Sequence, residues 1–150
     1  MSDLARKLGI APGQTLCLLG APTASETLIR DICPPGVDIT AVTAVTAVTA
    51  VIVAGTGTDR YDQVFFWPVA LEELPARFAT LQRAIVPAGA VWAVMPNKRA
   101  APRRGITFSW EEVQAAALTT DLVDNKIVSL SNEEYATRFV IRKVRRAAYV

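Results

Sequence analysis

A chain of 150 residues, 51% apolar and 20% charged, has the size and make-up of one folded domain and excludes extended disorder. Sixteen basic against 14 acidic side chains leave a net charge of +2, which excludes a strongly charged partner for the domain as a whole. The absence of histidine excludes Ser-His-Asp and Cys-His nucleophiles and His-ligated metals, and two cysteines are too few for a disulfide framework or a four-thiolate zinc site.

The first 13 residues are charged and lack the apolar run of a signal peptide. Ser2 is placed to cap a short helix from Asp3 to Leu8, with Gly9 as its stop. After the Pro12-Gly13 turn, Thr15 to Gly20 is a continuous apolar run, the mark of a strand buried on both faces. Gly20-Ala21-Pro22 ends it. Thr23-Ala-Ser-Glu26 has capping-box spacing and predicts a helix with a stripe of Leu28, Ile29 and Ile32, stopped by Pro34-Pro35-Gly36.

A second strand is predicted from Val37 to Val42. It runs into a tandem of Ala-Val-Thr, read as an insertion at about residues 40–60 whose form is left open between a further strand to Val53 and irregular chain. Period three suits neither a strand nor a helix. From Ile39 to Thr58 no charge occurs, but threonines interrupt the stretch and no aromatic belt brackets it, so buried core is expected rather than a membrane span. Gly55 to Asp59 reads as a loop.

Gln63 to Trp67 is another buried strand, closed by Pro68. Leu71, Leu74, Phe78, Leu81 and Ile85 form a helical stripe, with Pro75 in the first turn and Pro87-Ala-Gly89 as the stop. Ala90 to Met95 is the next strand. A basic loop follows from Pro96 to Gly105. Ser109-Trp-Glu-Glu112 has capping-box spacing and opens a helix to about Thr119. Leu122 to Leu130 and Ala136 to Val144 read as strands joined by Ser131-Asn-Glu-Glu134, a connection short enough to make them antiparallel.

Alternating strands and helices predict a single α/β domain over residues 1–150: a three-layer, mostly parallel sheet ending in an antiparallel hairpin. Thr15–Gly20, Gln63–Trp67 and Ala90–Met95 are expected as adjacent parallel strands. This order, with "KLGIAPGQTLCLLGAP", "YDQVFFW" and "LQRAIVPAGAVWAV", resembles the Rossmann-like fold of class I methyltransferases. Leu19-Gly20-Ala21-Pro22, Trp92 to Lys98, Leu122 to Lys126 and Arg138-Phe139-Val140-Ile141-Arg142 are similar to turns of a small bacterial family of unknown function with a degenerate form of that fold. The likeness spans nearly the whole chain outside the repeat.

The resemblance places a cofactor crevice at Gly20, Ala21 and Trp67. S-adenosylmethionine needs a glycine-rich turn after the first strand and a ribose-binding carboxylate after the second. Here only Gly20 is available, Pro22 lacks an N–H, and Asp38 stands at the start of its strand rather than the end. The expectation is therefore a domain without cofactor, metal or catalytic residue, acting through a protein partner or a small anionic ligand. The alternative is a divergent S-adenosylmethionine-dependent methyltransferase.

Lys98, Arg99, Arg103 and Arg104 leave the carboxyl end of a parallel strand, where open α/β sheets bind ligands, and are the candidate anion site, with Ser109 beside them. A solvated loop is the competing reading. Residues 97–150 carry +4 and residues 1–96 carry −2. No nucleic-acid motif accompanies that asymmetry, which argues against nucleic acid as a partner. Asp124 and Lys126 read as an ion pair on one face of a strand, and Cys17 as an inert core thiol. A cytoplasmic location is expected.

Overall fold

The computed structural model describes residues 2–43 and 60–150. The repeat insertion, with its further strand to Val53 and the loop from Gly55 to Asp59, lies largely outside the described residues.

Nine regular elements occur in chain order among them: α1 (Asp3–Lys7), β1 (Thr15–Leu19), α2 (Thr23–Ile32), β2 (Asp38–Val42), β3 (Tyr61–Phe66), α3 (Leu74–Leu81), β4 (Ile85–Pro96), α4 (Trp110–Ala117) and β5 (Leu122–Ser129). A tenth, β6 (Glu134–Ile141), closes the sheet. The strand order is β2-β1-β3-β4-β6-β5. The first four are parallel, and β6 is antiparallel to both β4 and β5. The expected adjacency of the three apolar runs, with the last strand reversed beside them, is therefore present.

Strand alternation sorts the core into two layers. Leu16, Leu18, Phe65, Trp92 and Val94 face one side, with Ala5 and Leu8 of the α1 region and Ile29 of α2. Cys17, Leu19, Val64, Phe66, Val91 and Phe139 face the other, with Leu74, Phe78 and Leu81 of α3 and Val113 and Ala117 of α4. Phe65 and Trp92 stack on the first side with centroids 5.6 Å apart. Phe78 meets Phe66 and Phe139 edge-on on the second, each at 5.2 Å. Burial pushes the Cys17 thiol up to about 11, which keeps it protonated and unreactive in this core.

Four local readings change. Thr23 does not cap α2: Pro22 occupies the cap position without a side-chain bond, and Glu26 instead accepts from Arg30 at 2.9 Å. The helical stripe ends at Leu81. Leu71–Glu73 is a separate 3-10 turn, and Ile85 already belongs to β4, paired with Tyr61. Pro87-Ala88-Gly89 lies inside this long strand, where the register with β3 shifts. A Cβ at Gly89 would come 2.6 Å from the Asp62 carbonyl oxygen, so this crossing needs a glycine. At the other end, β6 stops at Ile141, and Val144 lies in a 3-10 segment, Lys143–Tyr149.

The fourth change is in β5. The register slips between Asp124 and Lys126, leaving Asn125 as an extra residue and Lys126 opposite Arg138. Asp124 accepts from the Gln114 amide at 3.0 Å, and the Lys126 ammonium donates to the Lys7 carbonyl. The expected Asp124–Lys126 ion pair is absent, because a bulge turns the two side chains apart.

Candidate functional site

Because β6 runs against β4, its first residue lies at the carboxyl ends of the parallel strands. Ligands of open α/β sheets bind at that end. Gly20 leaves β1 at φ +75°, a left-handed conformation open to glycine without strain. Its N–H donates to the Val42 carbonyl at 2.8 Å, so that donor is used within the sheet. Ala21 is half-buried beside it. Trp67 stands one residue past β3 and is 7% exposed. Its backbone N–H reaches the Leu19 carbonyl at 3.3 Å, which ties the turn after β3 to the end of β1.

Glu134 joins these parts. It is only 3% exposed, and a carboxylate so buried requires compensating donors. Its Oε1 accepts from the Ser25 hydroxyl at 2.6 Å, out of the first turn of α2. Its Oε2 accepts from the Trp67 indole N–H at 2.8 Å and from the Arg104 guanidinium at 2.7 Å. Four elements thus meet on one carboxylate: α2, the turn after β3, the basic loop and β6. The hydrogen bond to Glu134 is the main reason that Arg104 holds its proton more firmly than an ordinary arginine.

The basic loop is stapled to the same hairpin. Arg103 donates to Glu133 Oε1 at 2.7 Å, and Arg104 reaches Glu133 Oε2 at 3.2 Å. The hydrogen bond from Arg103 holds the Glu133 carboxyl below the usual range. The Asn97 N–H donates to the Glu133 carbonyl at 2.7 Å, and the Asn97 side chain caps the turn at Ala100. Two of the four sequence-selected cations are therefore engaged by carboxylates. Lys98 and Arg99 are exposed and have no carboxylate partner among the described residues.

Beyond β4, a cleft of about 430 Å³ opens between the basic loop, the start of α4 and the β5–β6 hairpin. Met95, Ile106, Phe108, Trp110, Ile127 and Tyr135 form apolar and aromatic walls, with Lys98, Ser109 and Glu111 among the polar lining. The volume and the mixture of an apolar wall with few polar groups are those of a small-molecule site. Trp110 is fixed by its indole N–H to the Thr137 hydroxyl at 2.8 Å. Ser109 and Glu112 form the expected capping box, which uses the Glu112 and Ser109 N–H groups. Lys98 and Ser109 thus come together as expected, while Arg103 and Arg104 turn toward Glu133 and Glu134. Among the described residues no group of three or more potential ligands is placed to hold a metal ion. No described helix is long and apolar enough to cross a membrane.

Glu134 was not legible as a site residue. It reads in sequence as part of a polar hairpin connection, and its partners lie 30, 67 and 109 positions away. The one local signal is a doublet of carboxylates, Glu133-Glu134, against the Arg103-Arg104 doublet.

No protein-family model and no curated protein matches the chain. Solved structures match its fold. An S-adenosylmethionine-dependent methyltransferase from Aquifex aeolicus is 14% identical with a TM-score of 0.62, over 93% of this chain and 89% of that one. The N-methyltransferase NodS from Bradyrhizobium japonicum is 11% identical with a TM-score of 0.59, over 91% of each chain. A TehB-like S-adenosylmethionine-dependent methyltransferase from Corynebacterium glutamicum gives 12% and 0.55, over 92% and 86%. The chain has the Rossmann-like fold of class I methyltransferases. Identities this low establish the fold and leave the activity to the site.

Proposed function

We propose that the protein is a methyltransferase-like binding domain that does not use S-adenosylmethionine. Its ligand site, in this reading, is the aromatic cleft beyond β4. The observation that carries the proposal is Glu134, buried, with both oxygens occupied, across the carboxyl ends of β1 and β3.

The residues around that crevice do not fit the cofactor. A ribose is held by an acceptor at the end of the second strand, and β2 ends in Ala41-Val42 followed by Thr43. The turn after β1 offers one glycine, and its N–H is already bonded. Pro22 has no N–H to give. Glu134, the carboxylate at hand, is 3% exposed beneath its own donors, so a cofactor hydroxyl or amine would have to displace Ser25 or Trp67 to reach it. Displacing either one leaves a buried donor without a partner, which costs about 1–3 kcal/mol.

The cleft favours a small molecule with a flat apolar body and one anionic group. Phe108, Trp110 and Tyr135 supply aromatic surface, and Lys98 supplies a cation with no internal partner among the described residues. The alternative, a divergent methyltransferase, has one observation in its favour: a Cβ added at Gly20 would meet nothing within 4 Å, so the space over that turn is open.

The indole N–H signals of Trp67 and Trp110 separate the two readings in one nuclear magnetic resonance titration. Aromatic carboxylates should shift Trp110 and leave Trp67 in place. A saturable shift of Trp67 by S-adenosylmethionine would establish the alternative.

A further inference from the structure

On the sheet face that packs against α1, away from the crevice and the cleft, the β5 bulge creates an arrangement that no internal contact explains. Were Asn125 paired in its turn, it would take Arg138 and Lys126 would fall opposite Thr137. The slip sets it opposite Arg138 instead. Like charges directly opposite in a ladder destabilise it. A third cation, Arg146, acts on Arg138 as well: burial first, then Arg146, lower the proton affinity of its guanidinium.

Among the described residues no carboxylate pairs with Arg138 or Lys126. Arg138 is half-buried and has no carboxylate within 4.0 Å among the described residues. The nearby carboxylates are engaged elsewhere. Asp62 accepts from the Thr15 N–H at 2.8 Å, Asp124 from Gln114, and Asp121 from Tyr149 and Arg145. Lys126 itself is held only by the Lys7 carbonyl, a neutral acceptor.

The cations surround open space. A hollow of about 230 Å³ is lined by Leu8, Gly9, Asn125, Lys126 and Arg138. It adjoins a second, of about 140 Å³, that shares Leu8, Gly9 and Arg138 and continues to Gln14, Asp62 and Gln63. The first hollow offers a planar guanidinium, an ammonium and a carboxamide. That donor set matches a phosphate: the guanidinium takes two oxygens side by side, and the ammonium supplies a point charge. The second hollow, with Val86, Ala88 and Ala90 along one side, adds room: its Gln63 amide is already bonded to Trp92, Gly9 and Gln14, and the Gln14 amide N–H group is the donor left to it.

We propose that Arg138, Lys126 and Asn125 form a binding site for a small phosphomonoester. Its phosphate lies between the two cations and its hydroxylated body extends into the second hollow beside the Gln14 amide. The β5 bulge is the device that assembles the site, since it brings Lys126 to Arg138. This site is separate from the aromatic cleft and does not depend on the function proposed for it.

Calorimetry and thermal melting at fixed ionic strength test the site, with ribose 5-phosphate and inorganic phosphate as probes against chloride. The variants are Lys126→Gln, Arg138→Gln and, in the aromatic cleft, Lys98→Gln. Saturable binding of ribose 5-phosphate is expected, weakened at least tenfold by Lys126→Gln, lost in Arg138→Gln and unchanged in Lys98→Gln. Should Arg138→Gln fail to fold, Lys126→Gln decides alone. Absence of binding by either probe, or binding that ignores Lys126→Gln, overturns the proposal. Loss of binding in Lys98→Gln would move the anion to the basic loop. Inorganic phosphate binding more tightly than ribose 5-phosphate would overturn the role given to the second hollow.

Discussion

Two clusters of charge sit on the same sheet and are wired in opposite ways. At the carboxyl ends of β1 and β3, Arg103 and Arg104 face Glu133 and Glu134, and the most buried of these groups has three donors. On the face toward α1, Lys126 stands opposite Arg138, and among the described residues no carboxylate lies within 4.0 Å of Arg138. The first region is where a methyltransferase fold places its cofactor, yet its charges compensate one another from within. The second carries no expectation from the fold, yet its charges lack counterparts. Internal compensation separates a structural polar network from a surface built for an outside ligand, and position in the fold does not.

The largest expected effect breaks the compensated side. Glu134→Ala strands the Trp67 and Ser25 donors and leaves Arg104 with Glu133 alone. We expect a loss of about 3 kcal/mol, at the low end of the usual cost of breaking a buried ion pair because Arg104 keeps an exposed partner. For a domain of this size that is a fall of roughly 6–12 °C in Tm, measurable by calorimetry. A loss under about 0.5 kcal/mol, the scale of an ordinary surface change, would mean that the network does not tie these elements together.

Trp67→Phe should cost less, about 1–2 kcal/mol, since Glu134 keeps two of its three donors. A double-mutant cycle of Trp67→Phe with Glu134→Ala should show coupling, and strict additivity would contradict the shared carboxylate. Ser109→Ala removes the cap of α4 and should cost about 1 kcal/mol in denaturant unfolding. It should also loosen the wall of the aromatic cleft without touching the crevice.

A pH dependence lies apart from both regions and serves as their control. Burial, with the hydrogen bond to Asp121, pushes the Tyr149 hydroxyl up to about 12. The folded state therefore favours the protonated phenol. Its contribution is fully present below pH 10 and falls as pH rises from 10 to about 12. The hydrogen bond from Tyr149 also holds the Asp121 carboxyl low. That contribution is present above the ordinary carboxylate value and falls as pH drops through the depressed one. Tyr149→Phe should flatten the alkaline limb of a stability profile. An unchanged limb would place the alkaline titration elsewhere.

Sequence carried the sheet well, because doubly buried strands must read as continuous apolar runs, as Thr15–Leu19 and Val64–Phe66 do. The Ser109 cap was equally plain, since its partner stands three residues away. Ile85 misled because it extends the helical spacing of Leu74, Phe78 and Leu81 while pairing with Tyr61 in the sheet. The bulge at Asn125 is a property of register against β6, which no single strand displays. Gly20, Ala21 and Trp67 were singled out, and the structure places them at the carboxyl ends of β1 and β3, tied by the Trp67 N–H to the Leu19 carbonyl. The group that links that crevice, Glu134, comes from the far end of the chain and has no local pattern.

Calorimetric titration of the wild-type protein with S-adenosylmethionine tests the central claim most directly. With Glu134 buried beneath three donors of its own and no carboxylate in Ala41, Val42 or Thr43, no saturable heat is expected up to millimolar cofactor. A dissociation constant in the low micromolar range would contradict it and make the protein a divergent methyltransferase.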